Sequence, residues 1–276
     1  MQLFSLLGIA AAFTAAVIWA LVIFLYKKHM AAASPLSVNF SRVVYVSLIM
    51  WPVLTTTELT PALLAAVLSG VVTLVVGDSM YLYAISKVGG SVAAPVAYTY
   101  IVATQYFALA LGEGVTTSLL ASAVLVVLGV ALLSQGEERQ LSPLGLAAAV
   151  GAAASWSLGV TAIKIATLGG VPPLAVAYVR ALSAALTLGI YRIFKKVEII
   201  KSPLLAAASV ADLGLGAALF VFSIEKLGLS LATVLVATSP LVTQLYAAAS
   251  GAERVTAIRA AGGVTIFVAV VLALSH

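Results

Sequence analysis

SVAAPVAYTYIVATQYFALALGE, residues 91–113, is apolar enough to cross a bilayer, yet it carries tyrosine, threonine and glutamine side chains. A second stretch near the C-terminus, SLATVLVATSPLVTQLYAAASGAE at residues 230–253, repeats this pattern. Gln105 of the first stretch corresponds to Gln244 of the second. An apolar helix with polar side chains that occurs twice indicates a duplicated membrane protein that holds something polar in its interior.

Composition places the whole chain in the membrane. Its 276 residues are 63% hydrophobic and 8% charged, whereas soluble domains carry about 25% charged residues. The net charge of +5 indicates cytoplasmic loops that face anionic lipid rather than a nucleic-acid partner. The sequence has no cysteine and only two histidines, His29 and His276, which lie far apart. We therefore expect an integral membrane protein without a metal site or cofactor.

Apolar runs of about 20 residues, separated by proline, glycine or charged residues, predict ten transmembrane helices joined by short loops. The fold class is therefore all-α. The predicted helices are residues 4–26, 36–54, 62–86, 91–111, 115–134, 143–167, 172–194, 203–225, 229–250 and 255–274.

The second half of the chain repeats the residue pattern of the first. The matching pairs are Gly8 and Gly145, Trp19 and Trp156, Lys27 and Lys164, Pro35 and Pro172, Arg42 and Arg180, and Lys87 and Lys226. We predict two five-helix repeats, residues 1–134 and 143–276, joined by a linker at 135–142. Because five is odd, the second repeat enters the membrane from the opposite face, which is the inverted-repeat plan of many secondary transporters.

Lysine and arginine placement predicts the orientation in the membrane. Most of these residues fall on one side of the ten-helix arrangement, and the stretch 191–201 contributes four of them. The positive-inside rule makes that side cytoplasmic. We therefore expect a multi-pass protein of the cell (plasma) membrane with both termini on the extracytoplasmic side.

These duplicated features resemble the EamA-type branch of the drug/metabolite transporter superfamily over essentially the whole chain. The resemblance rests on Trp19 with Lys27, Trp156 with Lys164, Pro35 with Arg42, Pro172 with Arg180, and the glycine–glutamate sequences at 112–115 and 251–254. It implies a ten-helix secondary carrier or exporter of small metabolites, amino acids or drugs that works by alternating access. Two departures are the extra Ala252 before Glu253 and the position of Pro95, which precedes the equivalent of Pro240 by a turn or more.

Two aspartates lie inside predicted spans, away from the span ends. An aspartate at membrane depth costs about 2.5–3.5 kcal/mol on insertion scales, so it should face protein or water. Asp78, with Tyr81 one turn further along the same face, is a candidate contact for a substrate amine or a proton-coupling group. The alternative is a structural pair with Arg42. Asp212 is not the repeat equivalent of Asp78, and it is either a coupling group or a structural partner.

The cations within the spans carry two interpretations each. Arg42 and Arg180 are equivalent positions, and either one could bind a substrate carboxylate or phosphate. Structural bracing is the alternative, because repeats preserve packing. Lys164 is either a cavity residue or a side chain that reaches the lipid headgroups.

Uncharged candidates complete the predicted substrate site. Trp19 and Trp156 lie away from the interfacial belts and could stack on substrate or serve helix packing. Tyr98 and Gln105 share one helix face, as do Pro240 and Gln244. Pro240 predicts a kink of the kind that lines transporter sites, with a simple packing kink as the alternative.

Together these patterns predict a secondary transporter of small metabolites, with amino acids and related zwitterionic or amphipathic compounds as the expected class. Proton coupling is a further hypothesis. A passive facilitator or channel and a non-transporting membrane scaffold are alternatives. An enzyme is not expected, since no nucleophile and base are clustered. The expected partners are a small-molecule substrate, the lipid bilayer and protons, and the expected assembly is a monomer or homodimer.

Overall fold

The computed structural model describes residues 2–135, 142–251 and 256–275, and the regular elements within these ranges are all helical. Most of the predicted linker and Glu253 lie outside the described residues. Within the described chain, eight helices are long and apolar enough to cross a membrane, and two further apolar helices are shorter. In chain order they are α1 (Gln2–Met30), α2 (Pro35–Ile49), α3 (Leu63–Val88), α4 (Val92–Ala110), α5 (Thr117–Leu133), α6 (Pro143–Leu168), α7 (Pro173–Phe194), α8 (Pro203–Leu227), α9 (Leu229–Ala249) and α10 (Ala257–Leu274).

Helix α2 is shorter than the predicted span. It ends at Ile49, and a separate turn of helix, Pro52–Thr55, follows it. Pro52 explains the break, because a proline ring lacks an N–H and clashes with the carbonyl one turn earlier. Helices α2 and α5 are the two that fall below the length of the eight candidate spans.

Serine–proline pairs start three of the helices. Ser34, Ser142 and Ser202 each accept a hydrogen bond from the backbone amide three residues ahead, and a proline follows each serine in the first turn. The hydroxyl satisfies an amide that has no intrahelical acceptor, and proline has no amide to satisfy. The sequence alone therefore defines these helix starts.

Helices α3 and α8 each contain a π-helical segment, a feature that was not among the predictions from the sequence. The segments are Gly70–Gly77 and Val210–Gly216, and each ends at a glycine. A Cβ at Gly77 would lie 2.6 Å from Cδ1 of Trp156, and one at Gly216 would lie 2.9 Å from Nε1 of Trp19. Glycine therefore lets an indole ring lie against each π segment.

Helices α4 and α9 are interrupted at equivalent positions. The helix hydrogen bonding breaks at Thr99 in α4 and around Thr238 in α9. Pro240 lies in the first turn after the α9 break, where a missing amide costs little. The kink expected at Pro240 is therefore a break just before the proline, which sits in the first turn of the next helical segment. Pro95, by contrast, lies inside the first segment of α4.

Close helix packing brings the two halves of the chain together. Helix α1 packs along α8, and α6 packs along α3. At the periphery α5 and α10 meet through Gly129 and Gly262, where a Cβ on either residue would clash with the partner helix. Small residues at such contacts let helices approach closely in a bilayer. The polar side chains of α1, α2, α3, α6 and α8 consequently face one another.

Candidate functional site

Arg42 occupies the middle of a cluster of charged side chains drawn from both halves of the chain. Its Nη2 lies 2.6 Å from Oδ2 of Asp212 on α8. Its Nη1 lies 3.9 Å from Oδ2 of Asp78 on α3. One guanidinium thus pairs with both aspartates that the sequence placed inside spans. We call Arg42, Asp78, Asp212, Tyr26 and Trp156 the central cluster.

Neighbouring polar side chains hold Arg42 in place. The Tyr26 ring lies 4.4 Å from the guanidinium carbon, in cation–π geometry. Asn39 accepts a hydrogen bond from Arg42 Nη1 over 3.2 Å, and its own amide donates to the Leu74 carbonyl over 2.8 Å. That carbonyl belongs to the π segment of α3. The unusual backbone of α3 therefore supplies an acceptor that orients Asn39 and, through it, Arg42.

The two carboxylates of the central cluster differ in environment. Asp212 accepts hydrogen bonds through Oδ2 from both Arg42 and the Tyr26 hydroxyl, and its side chain is 7% exposed. Asp78 accepts one from the Trp156 indole over 3.1 Å, and its side chain is 21% exposed. Asp212 is therefore occupied by protein donors, whereas Asp78 can still meet a ligand.

Aromatic side chains form a wall beside Asp78. The Trp156 ring lies 4.9 Å from the Tyr81 ring and 5.8 Å from the Tyr100 ring, and Tyr98 lies 6.1 Å from Tyr100. All four residues are partly exposed. The wall and the carboxylate together give a surface with an apolar face and one anionic group, which suits an amphipathic cation or zwitterion.

Trp19 makes the equivalent ring contact in the other half, but its hydrogen bond goes to a different acceptor. Its indole donates to the backbone carbonyl of Asp212 over 3.4 Å, and its ring lies edge-on to Phe220 at 5.4 Å. Phe220 is the repeat counterpart of Tyr81, at the same offset that relates Lys87 to Lys226. Trp19 therefore lies beside Asp212, the more buried of the two carboxylates of the central cluster.

Arg180 lies in a different setting from Arg42. It is buried, with 7% of its surface exposed, and its Nη2 donates to the Thr73 hydroxyl over 3.1 Å. Among the described residues, no carboxylate lies within ion-pair distance of it. Thr73 is the repeat counterpart of Asp212. The equivalent arginines thus face a carboxylate in one half and a hydroxyl in the other.

Lys164 pairs with Glu113 instead of reaching outward to lipid headgroups. The Nζ–Oε1 distance is 3.0 Å, and the two side chains are 12% and 15% exposed. Glu113 also accepts hydrogen bonds from the backbone amides of Leu229 and Ser230 at the start of α9. This glutamate belongs to the first glycine–glutamate sequence and links the α4–α5 turn to α6 and α9.

Three of the uncharged residues predicted for the substrate site also lie away from the central cluster. Gln105 is fully buried, accepts a hydrogen bond from the Ser230 hydroxyl and donates to the Ile101 carbonyl. Gln244 lines a groove of about 370 Å³ between α5, α9 and α10, together with Arg259 and apolar side chains. Pro240 is partly buried on α9. The paired glutamines therefore have different surroundings.

Five contributors were not among the predicted site residues: Tyr26, Asn39, Thr73, Tyr100 and Phe220. Thr73 could have been found by applying the repeat offset to Asp212. Tyr26 lies two turns after Trp19 and so shares its helix face. Asn39 is a polar side chain one turn before Arg42. Phe220 could have been found by applying the same offset to Tyr81, and Tyr100 is one of the polar aromatic side chains of the stretch 91–113.

An apolar helical bundle that encloses paired charges and partly exposed aromatic side chains is the architecture of a multi-pass membrane protein with an internal polar site. A model of the EamA-like transporter family matches residues 6–135 and 143–275. The chain belongs to this family and is a membrane transporter. It is 28% identical over 279 residues to an uncharacterized transporter of Archaeoglobus fulgidus, and the alignment covers 98% of each chain. A solved crystal structure shares the fold, with a TM-score of 0.78, 20% identity and 96% of each chain covered.

Proposed function

We propose that this protein is a secondary transporter that carries amino acids or related zwitterionic or amphipathic metabolites by alternating access. The observation that carries the proposal is the environment of Asp78. Its partly exposed carboxylate lies beside the Trp156–Tyr81 wall, inside a cluster to which both halves contribute. A carboxylate at membrane depth is energetically costly, so such residues are found paired with another group, lining an ion pathway or binding a substrate.

The ten helices are best explained as two inverted five-helix repeats, residues 1–134 and 143–276. Corresponding π segments in α3 and α8, and corresponding breaks in α4 and α9, support this arrangement. Trp19 with Phe220 and Trp156 with Tyr81 are equivalent contacts between the halves. Rocking of one repeat against the other would expose the central cluster to each side in turn.

Proton coupling through Asp78 is part of the proposal. Asp212 is already bonded to Arg42 and Tyr26, so Asp78 is the carboxylate available to exchange a proton with water or substrate. Protonation of Asp78 would also weaken its attraction to Arg42, 3.9 Å away. A proton could thereby change how firmly α2 and α3 are held together.

Uptake into proteoliposomes tests the transport function. A screen with amino acids, nucleosides and cationic drugs should find a compound whose uptake saturates with concentration and is accelerated by the same compound on the opposite side. Uptake that stays linear without such counterflow would indicate a passive channel, and no uptake of any compound would favour a scaffold.

The proposed orientation places both termini on the extracytoplasmic side of the plasma membrane. Ser275 is exposed at the end of α10, and the chain has no native cysteine. In a Ser275→Cys variant, a membrane-impermeant thiol reagent should label intact cells. Labelling only after the cells are opened would reverse the orientation.

A further inference from the structure

We propose that Arg180 receives the carboxylate of the transported molecule, at the position where Asp212 lies opposite Arg42. The inference rests on the proposed transport function and assigns the anionic end of the substrate to one residue. It follows from a break in the internal symmetry of the charged groups.

The two arginines are equivalent in the repeat, and each reaches the π-containing helix of the other half. Arg42 on α2 bonds Asp212 on α8, while Arg180 on α7 bonds Thr73 on α3. Thr73 and Asp212 correspond in the repeat. The protein therefore supplies a counter-ion to Arg42 and only a hydroxyl to Arg180.

A buried guanidinium without a counter-ion is energetically unfavourable. Arginine stays charged at any relevant pH, and leaving one charge of a buried pair uncompensated is strongly destabilising. Asp78 and Asp212 act on Arg180 electrostatically, but their nearest cationic partner is Arg42. A carboxylate that arrives with the substrate would compensate the charge of Arg180.

The guanidinium of Arg180 keeps donors free for such a ligand. Thr73 engages Nη2, and Nε has no partner among the described residues. A planar carboxylate matches the forked donors of a guanidinium and binds it with two parallel hydrogen bonds. Nε of Arg42 is also without a partner there, but the charge of Arg42 is already balanced by Asp212.

The π segment of α3 places the carboxylate of Asp78 one turn from the residue that holds Arg180. The backbone N–H of Asp78 donates to the carbonyl of Thr73, which is a bond between residues five apart. Thr73, which holds Arg180, and Asp78 therefore lie one π turn apart on α3. A zwitterion can direct its carboxylate to Arg180 and its ammonium to Asp78 at the same time.

Ligand-induced thermal stabilisation of the purified protein tests this assignment. The amino-acid probes are L-leucine and L-phenylalanine. Isoamylamine and phenethylamine are the corresponding amines without the carboxylate. 4-Methylpentanoate is leucine without the amine. We expect the amino acids to stabilise the wild type more than the amines do. Arg180→Gln should weaken amino-acid binding about 10- to 100-fold, as expected for losing a charged hydrogen-bond donor, while amine binding changes little.

Thr73→Asp is the sharper variant, because it gives Arg180 the carboxylate that Arg42 already has. We expect it to abolish the difference between amino acid and amine, and to raise the melting temperature without ligand. Arg180→Lys should restore part of the amino-acid effect through charge alone. Arg192→Gln, an exposed arginine on the same helix, is the matched control and should behave as the wild type.

Three results would overturn the assignment: equal stabilisation by amino acid and amine in the wild type, unchanged amino-acid binding in both Arg180→Gln and Thr73→Asp, or no stabilisation by any probe. Stabilisation by 4-methylpentanoate alone would mean a site for free carboxylates rather than zwitterions and would overturn the Asp78 half of the assignment. If uptake saturates but is equal for compounds with and without a carboxylate, the role of Arg180 is contradicted and the transport function is not. Carboxylate binding at Arg180 without uptake would contradict transport alone.

Discussion

Arg42 Nη2 lies 2.6 Å from Asp212 Oδ2, so a largely buried ion pair joins the second helix of one half to the third helix of the other. Tyr26 donates to the same oxygen, so three helices meet at one carboxylate. Hydrocarbon cannot replace these partners if they separate. The pair therefore connects the two halves and, in an alternating-access cycle, must either persist or be exchanged for another pair.

Asp212→Asn tests how much this ion pair contributes to the stability of the folded protein. The variant leaves Arg42 with a single carboxylate 3.9 Å away, and breaking one side of a buried pair costs about 3–5 kcal/mol. We expect a clear fall in the melting temperature of the detergent-solubilised protein. Glu225→Gln is the control, since Glu225 pairs with Lys226 at a more exposed position, where such pairs contribute about 0–1 kcal/mol. Equal effects of the two substitutions would contradict a structural role for Asp212.

Asp78→Asn should affect transport more than stability. An asparagine carbonyl can still accept the hydrogen bond from the Trp156 indole, so the packing of α3 on α6 is expected to survive. The variant cannot exchange a proton or attract an ammonium group. Proteoliposome uptake driven by a pH gradient should therefore be lost, while the melting temperature changes little. Wild-type uptake with an unchanged pH profile would reject both roles for Asp78.

The sequence located the charged residues within the spans, but it left open how they pair. Apolar length, serine–proline starts and the duplicated tryptophans, lysines and arginines are local or repeated signals, and these indicated a duplicated helical membrane protein. The pairing of Arg42 with Asp212 depends on how two distant helices pack, which no local pattern records. The π segments were missed for the same reason, because Gly77 and Gly216 resemble the many other small residues of the spans.

Trp156→Phe and Trp19→Phe should separate substrate contact from packing. Both variants keep an aromatic ring. Trp156→Phe removes the hydrogen bond to the partly exposed Asp78, whereas Trp19→Phe removes a longer bond to a backbone carbonyl. We expect Trp156→Phe to raise the KM for uptake several-fold and Trp19→Phe to leave it nearly unchanged. A larger KM effect from Trp19→Phe would place the substrate on the other side of the cluster.

Gln105 and Gln244 correspond in sequence, but their variants should behave differently. Gln105→Ala leaves the Ser230 hydroxyl without its buried acceptor, at a cost of about 1–3 kcal/mol, so the melting temperature should fall. Gln244 faces a groove next to apolar side chains, and Gln244→Ala should change stability less. Uptake by folded protein should persist in both variants. If either variant loses uptake while its melting temperature stays that of the wild type, that glutamine belongs to the substrate site.

Glu113→Ala should loosen the start of α9. In the wild type this carboxylate accepts from the amides of Leu229 and Ser230 and pairs with Lys164, just after Gly228 turns the chain with a φ of 88°. These amides have no intrahelical acceptor, and the loss of a cap costs about 0.5–2 kcal/mol. Hydrogen exchange should therefore accelerate at Leu229 and Ser230. Lys164→Met is the matched control, because it removes the cation and leaves the cap. If Lys164→Met accelerates exchange there as much as Glu113→Ala does, the ion pair rather than the cap holds α9 in place.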